Sequence, residues 1–217
     1  MILYKYKSLE KFDEVSDLLL TKRLYCSTPR QLNDPLEGVL GIDINDNLRG
    51  LNSKDKFAKA FEYWSTHDER INNYRVCSFS EDPSSILMWS YYGAGNSGMC
   101  LELDVTEYKD NIHKVSYVSA LECSIGCSPL HLLTHKLDAW SYEKEYRWIS
   151  DENSKFKFLK ANIKTALIGA RIDPKLFRPV FEMCAIMDIQ IDIASFNTSG
   201  QLSRFPLKKG VRWDELT

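Results

Sequence analysis

Trp140-Ser-Tyr-Glu-Lys-Glu-Tyr-Arg-Trp-Ile149 is the stretch on which the fold turns. Read as a strand, it sends successive side chains to opposite faces. Glu143, Glu145 and Arg147 then share one surface, and Lys144, Tyr146 and Trp148 share the other. Tyr142, Tyr146, Trp148 and Ile149 are strand-favouring residues, and the alternation holds through Ile149. A helix would instead pair Glu143 with Arg147 on its surface, worth about 0.2–0.5 kcal/mol and nothing more. Two carboxylates and a guanidinium on one strand face leave two readings open: structural cement, or a charged site.

Working outward, Ile2 to Lys7 alternates as a first strand, and Ser8 is placed to cap a helix over Leu9 to Leu20. A second strand over Leu24 to Ser27 runs into Asn33-Asp34-Pro35, whose side chains and restricted backbone order a loop that includes Glu37. Asn45 to Lys54 reads as a surface loop. Ser53 to His67 is an amphipathic helix with Phe57, Ala60, Phe61 and Trp64 on one face. Tyr74 to Ser80 is a strand candidate, and Asp82 with Pro83 signals a helix start, with a stop at Gly93 and Gly95. Met99 to Val105 alternates, with Met99, Leu101, Leu103 and Val105 on the apolar face. Val115 to Val118 suggests another strand, and Pro129 to Leu137 a short helix leading into the anchor stretch. Ile163 to Ala170 reads as strand, Pro174 to Asp188 as helix and Ile189 to Phe196 as strand. Beyond Gln201, a segment with Arg204, Lys208, Lys209 and Arg212 reads as an irregular tail.

Strands mixed irregularly with helices predict an α+β fold. The expected architecture is a single domain, 1–217, with a central, mostly antiparallel or mixed sheet flanked by helices. A chain of 217 residues with 44% hydrophobic content is long enough for a sizeable core. A formal charge of −2 provides no global attraction to nucleic acid or anionic lipid. The first residues lack the pattern of a signal peptide, and no run reaches the roughly eighteen apolar residues of a membrane span. A cytoplasmic location follows as an expectation. Six cysteines scattered through hydrophobic runs read as reduced, buried thiols.

Motifs narrow the chemistry. There is no Gly-x-Ser-x-Gly elbow and no Gly-rich phosphate loop after a first strand. Cys123, Cys127, His131 and His135 have a spacing from which a Cys2His2 zinc site is conceivable, against buried thiols and surface histidines. Metal is not expected in the active centre, although Asp34 and Glu37 with Glu143 and Glu145 leave open a metal-dependent nuclease. Trp89 and Tyr92 lie three apart on the helix after Asp82; they are either core or the wall of a pocket in which a flat ring stacks, with Tyr92 and the Gly98 backbone as polar contacts.

Six blocks, Tyr4-Lys-Tyr-Lys-Ser8, Asn33-Asp-Pro-Leu-Glu37, Cys77-Ser-Phe-Ser80, Met88-Trp-Ser-Tyr-Tyr-Gly93, Gly98-Met-Cys-Leu-Glu-Leu103 and Trp140 to Arg147, occur in order. Together they resemble a large bacterial family known as a domain of unknown function, over Leu3 to about Phe205, with 206–217 as tail. Tyr91 stands where that family often has His, and Gly93 where it often has Ala. The family carries no assigned reaction. A second resemblance is to ADP-ribosyltransferases, which carry a polar or basic residue on a first strand, Ser or Tyr on a middle strand and Glu-x-Glu near the end. Lys5 or Tyr4, Ser27 or Ser80, and Glu143 with Glu145 follow the same order. The resemblance implies NAD as co-substrate, Glu145 as the catalytic carboxylate, Glu143 orienting the acceptor, and Arg147 holding the strand or a phosphate. Lys5, Ser27, Asn33, Asp34, Glu37, Ser80, Trp89 and Tyr92 are the expected substrate-binding set. The expectation is an NAD-using transferase acting on a protein or nucleic-acid acceptor in a bacterial defence or toxin system. A non-catalytic binding module is the alternative.

Overall fold

Tyr4 and Tyr6 on one side of Ile2–Lys7 (β1), and Leu3 on the other, give the first strand two partly apolar faces, and it lies in the interior of the sheet. The chain is described here by a computed structural model covering residues 1–36, 50–121, 127–151 and 156–207; for residues 60 and 63–68 the description is of the backbone. Phe12–Thr21 (α1) follows, then Arg23–Tyr25 (β2), Ser53–Ile71 (α2), Val76–Ser80 (β3), Ile86–Tyr91 (α3) and Met99–Asp104 (β4). Ile112–Lys114 (β5), Ser116–Val118 (β6), Pro129–Leu133 (α4), His135–Leu137 (β7) and Glu145–Ile149 (β8) come next. Phe158–Lys160 (β9), Ile163–Gly169 (β10), Pro174–Ile186 (α5), Gln190–Phe196 (β11) and Leu202–Pro206 (β12) complete the order.

Eight strands form one sheet in the order β12-β11-β10-β4-β1-β3-β8-β5. β1 pairs with β4 in continuous antiparallel register from Ile2↔Asp104 to Lys7↔Met99. On the other side β1 meets β3 at Tyr4↔Ser80, and β3 pairs with β8 from Val76↔Ile149 to Ser80↔Glu145. β10 and β11 are parallel, as a connection through α5 requires; the other pairings of this sheet are antiparallel. The result is the expected α+β sheet flanked by helices. Smaller pairs, β2 with β9 and β6 with β7, flank it.

Strand periodicity assigns the two faces. Leu3, Met99, Leu101, Leu103, Ala166 and Ile168 meet Val15, Leu18 and Leu19 of α1 and Val180, Phe181 and Cys184 of α5 in the main core. Tyr6, Cys100, Leu167 and Ala194 point the other way and pack with Met88 and Trp89 of α3. Gly98, leading into β4, makes that packing possible: a Cβ there would lie 2.4 Å from the Lys7 carbonyl oxygen.

Several boundaries differ from the sequence expectation. α1 starts at Phe12 because Ser8 Oγ accepts from Glu10 N at 3.1 Å in a local turn instead of capping a helix. Asp82 Oδ1 is likewise taken by Ser84 N at 2.8 Å, so the cap of α3 is Ser85, which accepts from Met88 N at 3.3 Å. The first part of the segment after Gln201, Leu202–Pro206, is a strand rather than irregular: β12 pairs with β11 from Asp192↔Pro206 to Phe196↔Leu202. The strand in the anchor stretch begins at Glu145, after a 3-10 turn over Asp138–Glu143. Phe57 and Phe61 are 74% and 58% exposed and stack on each other rather than facing a core. Cys26, Cys77, Cys100 and Cys184 are free and buried as expected, but Cys127 is disulfide-bonded. Cys123 and the segment from Lys208 onward lie outside the described residues. No helix among the described residues is long and apolar enough to cross a membrane.

Candidate active site

Lys144 sets the geometry of the site. It takes a left-handed backbone (φ 44°) between the 3-10 turn that ends at Glu143 and the strand that begins at Glu145. A non-glycine residue in that region stores about 1–2 kcal/mol of strain, which surrounding contacts must overcome. Here Lys144 Nζ is bound to Asp82 Oδ2 at 2.9 Å, and Lys144 O accepts from Glu81 N at 3.1 Å. The reversal brings Glu143 and Glu145 to the same hollow even though only Glu145 belongs to the strand.

A linked set of polar contacts joins the two carboxylates. Asn33 Nδ2 donates to Tyr92 Oη at 3.3 Å, and Tyr92 Oη donates to Glu143 Oε1 at 2.7 Å. Lys136 Nζ lies 2.5 Å from Glu143 Oε2 and 3.3 Å from Glu145 Oε2. Arg147 closes the chain with Nε 2.8 Å from Glu145 Oε1 and Nη2 3.0 Å from Oε2, while Nη1 donates to Leu133 O at 2.7 Å. Ser80 Oγ donates to Glu143 O at 2.7 Å, and Glu145 N donates to Tyr117 Oη at 2.8 Å. Two carboxylates and two cations cancel in formal charge, which lets the cluster sit at 1–4% exposure.

The two carboxyls titrate apart. Burial and the neighbouring Glu145 charge raise Glu143 above its ordinary value, against the pull of Lys136 and Tyr92. Burial acts upward on Glu145 too, but Arg147 and Lys136 outweigh it and hold that group at about 2. Tyr92 is raised by burial and by Glu143, so it stays a neutral donor. A split pair of this kind gives one locked anion and one carboxyl poised nearer neutrality.

These groups line a cavity of about 240 Å³ between β1, β3, β8 and the Asn33 loop. Of the expected residues, Lys5, Ser27, Asn33, Asp34, Ser80, Tyr92, Glu143, Glu145 and Arg147 all line it. Asp34 is 7% exposed, and its Oδ1 accepts from Leu36 N at 2.9 Å in the turn that the sequence predicts. Lys5 Nζ donates to Ser78 O at 2.6 Å where β1 and β3 meet. Trp89 is not part of the wall. It is 1% exposed, donates Nε1–H to Pro83 O at 2.9 Å and packs edge-on against Tyr6 and Phe196. Glu37 lies outside the described residues. Lys136 was not foreseen; its signal is a lysine inside the apolar run Leu132-Leu133-Thr-His-Lys-Leu137, where only a buried partner would retain a charge.

No three His, Cys, Asp or Glu side chains converge as ligands among the described residues. His131 and His135 stack at 3.8 Å between ring centroids, and His135 Nδ1 is engaged with the His131 carbonyl at 2.6 Å. No family model, no curated protein and no solved structure matches the chain.

Proposed function

We propose that the cavity cleaves or transfers at an N-glycosidic bond, with NAD as the co-substrate and a protein or nucleic acid as acceptor. The observation that carries the reading is Glu143: a buried carboxyl turned into a cavity, raised in pKa, and coupled through Tyr92 to an exposed loop. Breaking the ribose C1′–N bond sends its electron pair to the nicotinamide ring and leaves oxocarbenium-like charge at C1′. A fixed carboxylate next to that carbon stabilises the charge and then accepts the proton of the attacking nucleophile. The order of Lys5, Ser80 and the Glu-x-Glu pair along the chain, similar to that of ADP-ribosyltransferases, supports NAD as co-substrate, although that resemblance gives the catalytic role to Glu145 and the present reading gives it to Glu143.

Roles within the pair follow from their partners. Glu145 is bound by both cations of the cluster, Arg147 and Lys136, and is assigned the positioning role; Glu143 shares only Lys136 and takes its other hydrogen bond from the neutral Tyr92, and is assigned to the reacting carbon. About 240 Å³ is below the roughly 300–1,000 Å³ of pockets that enclose whole drug-sized ligands. The cavity therefore receives the nicotinamide riboside end, and the remainder of the dinucleotide runs along the open mouth. A cytoplasmic setting belongs to the same proposal. The four free core thiols agree with it, while the disulfide at Cys127 points the other way.

Nicotinamide release from NAD, followed with mixed protein and nucleic-acid acceptors, tests the assignment. Glu143→Gln, assayed at a temperature where it stays folded, should lower turnover by roughly 10²–10⁴-fold, and Glu145→Gln, which takes a carboxylate from both Arg147 and Lys136, should lower the melting temperature further than Glu143→Gln does. No release by the wild-type protein, or equal release by Glu143→Gln, would remove it. One observation favours a non-catalytic binding module: each charged group of the cluster has an internal partner. That reading predicts ligand binding without turnover.

A further inference from the structure

Behind the cavity wall, on the opposite face of β3, two thiols meet. Ser27 and Val76 exchange both backbone hydrogen bonds, Ser27 N to Val76 O at 2.9 Å and Val76 N to Ser27 O at 2.8 Å. The next pair along, Cys26 and Cys77, is therefore a non-hydrogen-bonded antiparallel pair, in which Cα atoms stand about 4.5 Å apart. That spacing falls within the roughly 4.4–6.8 Å over which disulfides close. Both side chains belong to the same core cluster, both are 1% exposed and both are free thiols, with Cys26 Sγ donating to Leu24 O at 3.7 Å.

We propose that Cys26 and Cys77 are a thiol–disulfide site, closed by a low-molecular-weight disulfide such as oxidised glutathione into a cross-strand bond that clamps Ser27 to the cavity wall. The Cys77 thiolate attacks one sulfur of the small disulfide, whose S–S bond breaks and releases one thiol. Cys26 then gives up its proton and attacks the mixed disulfide, releasing the second thiol. Two protein thiols and one small disulfide become one protein disulfide and two small thiols.

Chemistry and access both fit. The Cys26 thiol, against opposing burial, together with Lys5 and Lys7 lowers Cys77 to about 7, while the contact with Cys77 and burial raise Cys26. Cys77 is the attacking sulfur and Cys26 the resolving one. Neither is open to solvent in the closed fold, but β2 ends at Tyr25, and residues 26 and 27 are held by the bridge to Val76 and by Cys26 N donating to Lys157 O at 2.8 Å. The proposal requires this short segment to open locally, which denaturant below the unfolding midpoint promotes.

The full-length protein is incubated with oxidised glutathione in denaturant below its unfolding midpoint, then alkylated and mapped by mass spectrometry. Expected are a Cys26–Cys77 cross-linked peptide lacking two hydrogens and a raised melting temperature that a reductant reverses. Cys26→Ser should accumulate a glutathione adduct on Cys77, and Cys77→Ser should leave Cys26 unmodified over the same time. Cys100 and Cys184 serve as internal references for general unfolding. Recovery of both thiols free, or modification of Cys100 or Cys184 at the same rate, overturns the proposal.

Discussion

Tyr92 Oη lies 2.7 Å from Glu143 Oε1 and is itself bound by Asn33 Nδ2, so a loop near the start of the chain reaches a carboxyl more than a hundred residues later through one phenol. The donation stabilises ionised Glu143. Tyr92→Phe removes it, and the Glu143 carboxyl rises further. A rate that depends on ionised Glu143 falls as pH drops through that value, so the acid limb of kcat/KM should move to higher pH in Tyr92→Phe. An unshifted limb would show that Glu143 is not the titrating group. The loss in stability should be only about 1 kcal/mol, as for an ordinary hydrogen bond.

Arg147 is 1% exposed and bidentate on Glu145. Removing it leaves a buried carboxylate short of a partner, so Arg147→Met should cost about 3–5 kcal/mol. Chemical denaturation measures this directly. The double variant Arg147→Met with Glu145→Met should regain part of that loss because no unpaired charge remains at those two positions. A double variant as unstable as the single would mean that the cost lies in packing rather than charge.

Glu145 also fixes an acid limit. Its folded value of about 2 lies below the ordinary 4.5, so the native state binds fewer protons than the unfolded chain in that window. The stabilisation is complete above the ordinary value and is lost as pH falls towards 2. Melting temperature should therefore decline below pH 4.5 in the wild type, with a shallower decline in Glu145→Gln. Parallel curves would contradict the depressed value.

Strand alternation and turn chemistry account for what could be read from the chain alone. β1, β4 and β11 declared themselves through period-two patterns, β10 as a short apolar run, and Asn33-Asp34-Pro35 through local side-chain bonding. Helix starts were misread at Ser8 and Asp82 because a short polar side chain bonds its own turn as readily as it caps a helix. β12 was missed because its burial is slight: Phe205 is 55% exposed, and an edge strand needs little apolar patterning. Glu143 and Glu145 were rightly brought together for an incomplete reason, since the αL turn at Lys144 rather than strand alternation brings Glu143 to the cavity. Lys136 depends on partners distant in space, which no local pattern encodes.

Trp89 separates packing from recognition. Its indole is buried against Tyr6 and Phe196, away from the cavity. Trp89→Phe deletes ring volume and leaves Pro83 O without its donor, which should lower stability by about 1–3 kcal/mol. NAD affinity, measured by calorimetry at a temperature where the variant stays folded, should be unchanged. A selective loss of affinity would place Trp89 in the site after all.

Lys136 is the point at which both carboxylates meet, and its removal has a pH signature that simple loss of packing does not. Lys136→Met leaves Glu143 and Glu145 with their mutual repulsion and only Arg147 as a nearby cation of the cluster. Glu143 already titrates above its ordinary 4.5, and without Lys136 it goes higher. A carboxyl raised on folding binds more protons in the native state, so stability falls as pH rises through the folded value and returns on acidification. The stability deficit of Lys136→Met relative to wild type should thus be greatest at neutral pH, where both carboxyls are ionised, and shrink as Glu143 protonates. Denaturant midpoints measured from pH 4.5 to 8 decide the matter: a deficit that does not change with pH would make Lys136 a packing residue and leave Glu143 without the cation that keeps it ionised.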